Sequence, residues 1–132
     1  MTEQHVIPVV VQNRIQEAPR EAHSFPVNLF FTDRYLVIHA SLPRCRPDKI
    51  KVFVAPGKVF IRAERHEGEL ATEDRVYLLA ELPFGVMGRV VSLPEGAWAY
   101  DEAEAHFANG LLTVTIPTED RVEYLRQMHT AA

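Results

Sequence analysis

Cysteine is almost missing from this chain: Cys45 is the only one in 132 residues. A single thiol excludes an internal disulfide framework. Long apolar runs are missing too, and none approaches the ~20 residues that a helix needs to cross a bilayer. The longest near the start, Val6 to Val11, is six residues long and contains Pro8. Met1 to His5 in front of it hold no Lys or Arg, so the segment does not read as a secretory signal. Positive charge is not in excess. The 14 Lys and Arg against 18 Asp and Glu leave a net charge of -4, whereas a nucleic-acid binder needs a concentrated basic face. The expectation is a cytoplasmic protein with neither nucleic acid nor membrane as partner.

Catalytic patterns are equally scarce. His5, His23, His39, His66, His106 and His129 show no His-x3-His spacing, and one cysteine cannot form Cys-x2-Cys, so no metal site is expected. The run containing Glu64, Glu67, Glu69, Glu73 and Asp74 lacks the alternating carboxylates and glycine of a calcium loop; it reads as a solvated acidic loop. There is no Gly-rich phosphate loop and no Gly-x-Ser-x-Gly elbow. Cys45 lies between Arg44 and Arg46. Two guanidinium groups could lower its pKa; the alternative is a small half-buried apolar residue at a sheet corner. The expectation is no enzyme: no catalytic residues, no cofactor and no metal.

What the chain does have is alternation with a period of two, the signature of strands. Val27 to Thr32 opens the series. Leu36, Ile38, Ala40 and Leu42 follow, then Ile50, Val52 and Val54. Ala55-Pro56-Gly57-Lys58 is turn chemistry and leads into Val59, Ile61 and Ala63. Val76, Leu78, Ala80 and Leu82 form another run, and Met87, Arg89, Val91 and Leu93 the next. Ala103, Ala105 and Phe107 pass through Asn109-Gly110 to Leu112, Val114 and Ile116. About eight strands are expected, with most of the nine prolines and six glycines between them. The pattern predicts an all-β, immunoglobulin-like antiparallel β-sandwich over residues 27–117. Residues 1–26 read as a short flexible N-terminal arm, and residues 118–132 as a C-terminal extension.

Four motifs in order carry a resemblance. Leu42-Pro43 precedes Asp48-Lys49-Ile50-Lys51-Val52. Ile61-Arg62-Ala63-Glu64-Arg65 ends the first hairpin. Arg89-Val90-Val91-Ser92-Leu93-Pro94 forms the third motif, and Asn109-Gly110-Leu111-Leu112 the fourth. Together they resemble the alpha-crystallin domain of small heat-shock proteins. Two departures stand out. Arg44 occupies a place where that family often has Gly, and the tail lacks an Ile-x-Ile or Ile-x-Val sequence. Ile7-Pro8-Val9 sits in the N-terminal arm instead.

The resemblance implies an ATP-independent holdase, a chaperone that binds partly unfolded client proteins and suppresses their aggregation. It implies self-association as a homodimer, with higher oligomers open. A CS-domain-type co-chaperone or scaffold module is the alternative. The resemblance also implies a hydrophobic groove beside Val52, Val54, Ala105 and Phe107, with Ile7, Pro8 and Val9 as its docking motif. A sticky, client-binding arm is the competing reading of those three residues. Val76, Leu78, Leu82 and Arg89 are expected at the dimer interface. Arg89 shares the parity of apolar neighbours, so it either pairs with a carboxylate or several carbonyls, the acidic-loop residues Glu67, Glu69, Glu73 and Asp74 of a second subunit being the candidates, or snorkels to water.

Overall fold

The computed structural model describes residues 3–15, 23–66 and 75–118. They form nine strands in two packed sheets. In chain order the strands are β1 (His5–Ile7), β2 (Val9–Val11), β3 (Val27–Phe31), β4 (Tyr35–Ser41), β5 (Lys51–Ala55), β6 (Lys58–Arg65), β7 (Gly85–Ser92), β8 (Glu104–Ala108) and β9 (Leu111–Pro117). One sheet runs β1-β8-β9-β4-β3 and the other β2-β5-β6-β7. Every strand pair is antiparallel except β2 with β5, which is parallel.

The period-two pattern decides which residues become core. Ile38 pairs with Val114, Leu36 with Ile116 and Ala40 with Leu112, so one face of the first sheet is wholly aliphatic. Val52 with Ile61, and Val54 with Val59, do the same for the second sheet. All of these side chains are essentially sealed from water. Burying a Val, Leu or Ile contributes roughly 1.5–3 kcal/mol, and the two faces meet in one cluster.

Two turns fix the register. Pro56 and Gly57 close the β5–β6 hairpin, with Gly57 at φ +84°. Asn109 (φ 53°) and Gly110 (φ 75°) both lie in the left-handed region between β8 and β9, as a type I′ turn requires. Gly110 is doubly constrained. Its carbonyl accepts the Leu42 N–H at 2.7 Å, and a Cβ on it would stand 3.1 Å from Pro43 Cα. The Leu42-Pro43 and Asn109-Gly110 motifs, 67 residues apart in sequence, are therefore one structural unit. Gly110→Ala should destabilise the protein by about 1–3 kcal/mol through the backbone strain alone. A urea melt that matches wild type would refute this.

The run Val76 to Leu82 differs from the expectation. It forms no strand within the chain. Val76 is 81% exposed and Leu78 98% exposed, with Leu79 and Leu82 also largely in water. Alternation prepares a face, but a strand also needs a neighbour to accept its N–H and C=O groups. The adjacent edge of β7 is already engaged by His23, through Gly88 N–H to His23 O at 2.8 Å and His23 N–H to Val86 O at 3.3 Å. The sandwich also reaches beyond residues 27–117, because β1 and β2 come from the arm.

Candidate binding edges of the sandwich

A two-sheet sandwich has two open sides, where edge strands expose apolar interior and unpaired backbone. Here both are crossed by the N-terminal arm. On the first side, β1 pairs with β8: His5 opposes Phe107, Val6 opposes His106 and Ile7 opposes Ala105. The chain then passes Pro8 and joins the other sheet, where Val9, Val10 and Val11 run parallel to Val52, Phe53 and Val54. Gln12 N–H extends this ladder by one bond to Val54 O at 2.8 Å. Seven residues thus strap one sheet to the other.

The physical reason lies in three residues. Ile7 is only 2% exposed and fits because its cross-strand partner, Ala105, is small. Pro8 is exposed and has no N–H to lose, so it serves as the crossover between ladders. Val9 is half-buried against the core. The residues named from the sequence, Val52, Val54, Ala105, Phe107 and Ile7, share one buried cluster. Val9 packs against it, and Pro8 does not.

The second side was not legible as a site. His23 bridges in parallel to Met87 on β7. Phe25, 4% exposed, enters the core, and Pro26 then turns the chain into β3, antiparallel to β4. Its signal was a repeat of the arm's own pattern: Phe25-Pro26-Val27 matches Ile7-Pro8-Val9 as apolar, Pro, Val. Arg89 is half-buried, and its Nη1 donates to the Phe25 carbonyl at 3.2 Å. The carboxylates considered as its partners, Glu67, Glu69, Glu73 and Asp74, lie outside the described residues.

Beyond this strap, β3 is the outermost strand of its sheet among the described residues. Leu29, Phe30, Phe31, Leu36, Leu93 and Pro94 line a groove of about 430 Å³ beside it. Phe31 stacks on Trp98 at 5.7 Å, and Trp98 Nε1 donates to Pro94 O at 2.7 Å. Those contacts hold the groove floor to the loop after β7.

The titratable groups form no reaction centre among the described residues. Arg46–Asp48 and Arg62–Glu64 are ion pairs between near neighbours, at 3.2 and 3.4 Å, and His106 Nε2 lies 3.6 Å from Glu104 Oε2. No group of three or more His, Cys, Asp or Glu could hold a metal there. Cys45 is buried. Its pKa is raised above 9.0 because burial disfavours the thiolate, against opposition from the Arg65 guanidinium. The guanidinium that acts on the thiol is that of Arg65, and burial outweighs it. Above pH 9 the unfolded chain loses this proton while the folded one retains it, so stability should fall as pH rises through that range. At pH 8 the folded thiol should react far more slowly with a disulfide reagent than the urea-unfolded chain does; equal rates would refute the assignment.

A model of the Hsp20/alpha crystallin family matches residues 31–129. The chain is 37% identical over 82 residues to a 17.8 kDa class I heat shock protein of Daucus carota, covering 61% of this chain and 51% of that protein. It is 29% identical over 92 residues to heat shock protein 16 of Schizosaccharomyces pombe, covering 69% and 64%. The chain thus spans about half to two thirds of the length of these curated relatives. Among solved structures, hspA from Xanthomonas axonopodis superposes with a TM-score of 0.62 at 29% identity, covering 73% of this chain and 94% of that one. Heat shock protein 16.0 from Schizosaccharomyces pombe does so at 0.63 and 26%, covering 74% and 88%.

Proposed function

Because the chain belongs to the Hsp20/alpha crystallin family of small heat-shock chaperones, we propose that it is an ATP-independent holdase whose client-binding surface is the side of the sandwich between β5 and β8. The observation that carries this is the strap. A covered apolar edge is useful to a holdase only if its cover can leave, and this cover is seven residues ending in exposed Val10 and Val11. Ile7, Pro8 and Val9 act as a resting plug. When they lift, β5 and β8 offer backbone for strand addition, and the space beside Val52, Val54, Ala105 and Phe107 takes aliphatic side chains. Burial drives capture, so no nucleotide or cofactor is involved. The relatives reported above are heat-shock proteins, which is why a CS-type module ranks second.

Self-association belongs to the same reading. Val76, Leu78 and Leu82 face water in the single chain, while β3 is the outermost strand of its sheet among the described residues and has an apolar groove beside it. We assign the run 76–82 of one subunit to the β3 edge of another, making a homodimer, with Arg89 nearby on β7. Partly unfolded protein is the other partner, and the cytoplasm is the proposed location.

The test is light scattering of a heat-labile client, warmed with and without this protein. Suppression of aggregation at comparable subunit concentrations, unchanged by ATP, is expected. Suppression that requires ATP, or none at all, would overturn the proposal.

A further inference from the structure

The two straps share one order of contacts, with the pairing senses reversed: antiparallel then parallel at the first, parallel then antiparallel at the second. Each begins with backbone pairing to an edge strand, buries one apolar side chain between the sheets, exposes a proline, and continues with a half-buried valine on the opposite sheet. Ile7-Pro8-Val9 does this at the β5–β8 side and Phe25-Pro26-Val27 at the β7–β3 side. We propose that the edge of β7 is a second segment-binding site, which takes an apolar residue followed by proline from the arm of a second copy of this chain, with Arg89 holding the carbonyl that precedes the proline. This extends the plug reading of Ile7, and the experiment below separates the two.

Three elements recognise the segment. Val86 O and Gly88 N–H on β7 supply main-chain pairing, now used by His23 at 3.3 and 2.8 Å. The space beneath Phe25 supplies an apolar pocket, sealed well enough to leave that ring 4% exposed. Arg89 Nη1 supplies a donor at 3.2 Å to the Phe25 carbonyl. A carbonyl before proline suits such a donor, because the residue preceding proline is held extended. The occupant follows from sequence. The arm carries the same apolar-Pro-Val order at residues 7–9. An arm that has left its own β5–β8 edge needs cover for Ile7, and the β7 edge of a neighbouring copy offers it. The resident Phe25 competes because it is tethered directly to β3, which gives it a high effective concentration. At rest the site is therefore closed, and exchange opens it.

The probe is an acetylated, amidated peptide of residues 5–11, His-Val-Ile-Pro-Val-Val-Val, added to the full-length chain while amide exchange is followed. The Gly88 amide reports the second site, and the amides of residues 51–55 and 104–108 report the first. In Phe25→Gly, Gly88 exchange should rise at least tenfold and saturating peptide should restore protection; a peptide with Gly in place of Pro should restore much less. Phe25→Ala is the milder variant if Phe25→Gly does not fold, and the same rise and restoration at Gly88 are expected; adding Arg89→Ala to it should weaken the restoration, because the donor to the carbonyl is lost. In Ile7→Gly/Val9→Gly the peptide should restore protection at the first site. Restoration at the first site without any at Gly88 would overturn the second site and leave the plug standing. Restoration at neither site would overturn both.

Discussion

Replacing Ile7 and Val9 together with glycine should open the β5–β8 side of the sandwich while the remaining fold stays intact. Ile7 is nearly sealed and Val9 half-buried against the core. Losing the isoleucine burial costs roughly 1.5–3 kcal/mol, and each new glycine adds about 0.5–1 kcal/mol of chain entropy. Together, about 3 kcal/mol corresponds to a more than hundredfold rise in the open population, since ~1.4 kcal/mol is tenfold. Hydrogen exchange should therefore accelerate at residues 51–55 and 104–108, with Ile38 and Val114 unaffected at the sheet centre. If the plug covers a client site, the double variant should also hold more client per subunit. Wild-type exchange at both edges would show that the arm does not protect them.

A second large effect is expected from replacing residues 67–82 with a short Gly-Ser linker. The run Val76 to Leu82 contributes no strand to its own sandwich and leaves Leu78 and Leu82 in water. The domain should therefore keep its β-sheet signature, and its melting temperature should fall and lose its dependence on protein concentration. The assembly should not survive. In a symmetric pair, Leu78 and Leu82 amount to four leucines, about 6–12 kcal/mol of gross burial at ~1.5–3 kcal/mol each. Light scattering should then report the mass of one chain. An unchanged mass would place the subunit contact elsewhere, with the outer Val10 and Phe53 on the second sheet as the next surface to examine.

Much of the sandwich was readable because alternation dictates faces. Leu36, Ile38 and Ala40, with Leu112, Val114 and Ile116, fall on the interior as their period requires, and Asn109-Gly110 adopts the turn its chemistry favours. Even a departure from the family pattern was informative. Arg44, standing where glycine is common, holds φ at +67°, a conformation that costs a side-chain-bearing residue about 1–2 kcal/mol. What escaped the reading has a common cause: alternation specifies a face, not a partner. Read as one strand, Ile7 and Val9 face one way; the missing N–H of Pro8 divides them between two sheets. The run Val76 to Leu82 has a strand's pattern without a paired strand among the described residues. Phe25, a lone apolar residue in a polar stretch, has no period at all, and only its proline linked it to the motif 18 residues earlier.

The brevity of the first strap sets how sharply it can respond to heat. Unfolding carries about 0.7 kcal/mol of enthalpy per residue, so releasing His5 to Val11 involves roughly 5 kcal/mol. By the van't Hoff relation, warming from about 25 to 45 °C then shifts the release equilibrium less than twofold, whereas a 100-residue domain, with about 35 kcal/mol of unfolding enthalpy at these temperatures, would shift roughly fortyfold. A segment this small is a poor thermometer. Its opening is graded and nearly temperature-blind, so under the proposed holdase role any steep onset of protection during heating would come from the clients, whose own melting is cooperative and suddenly supplies competitors for the edge.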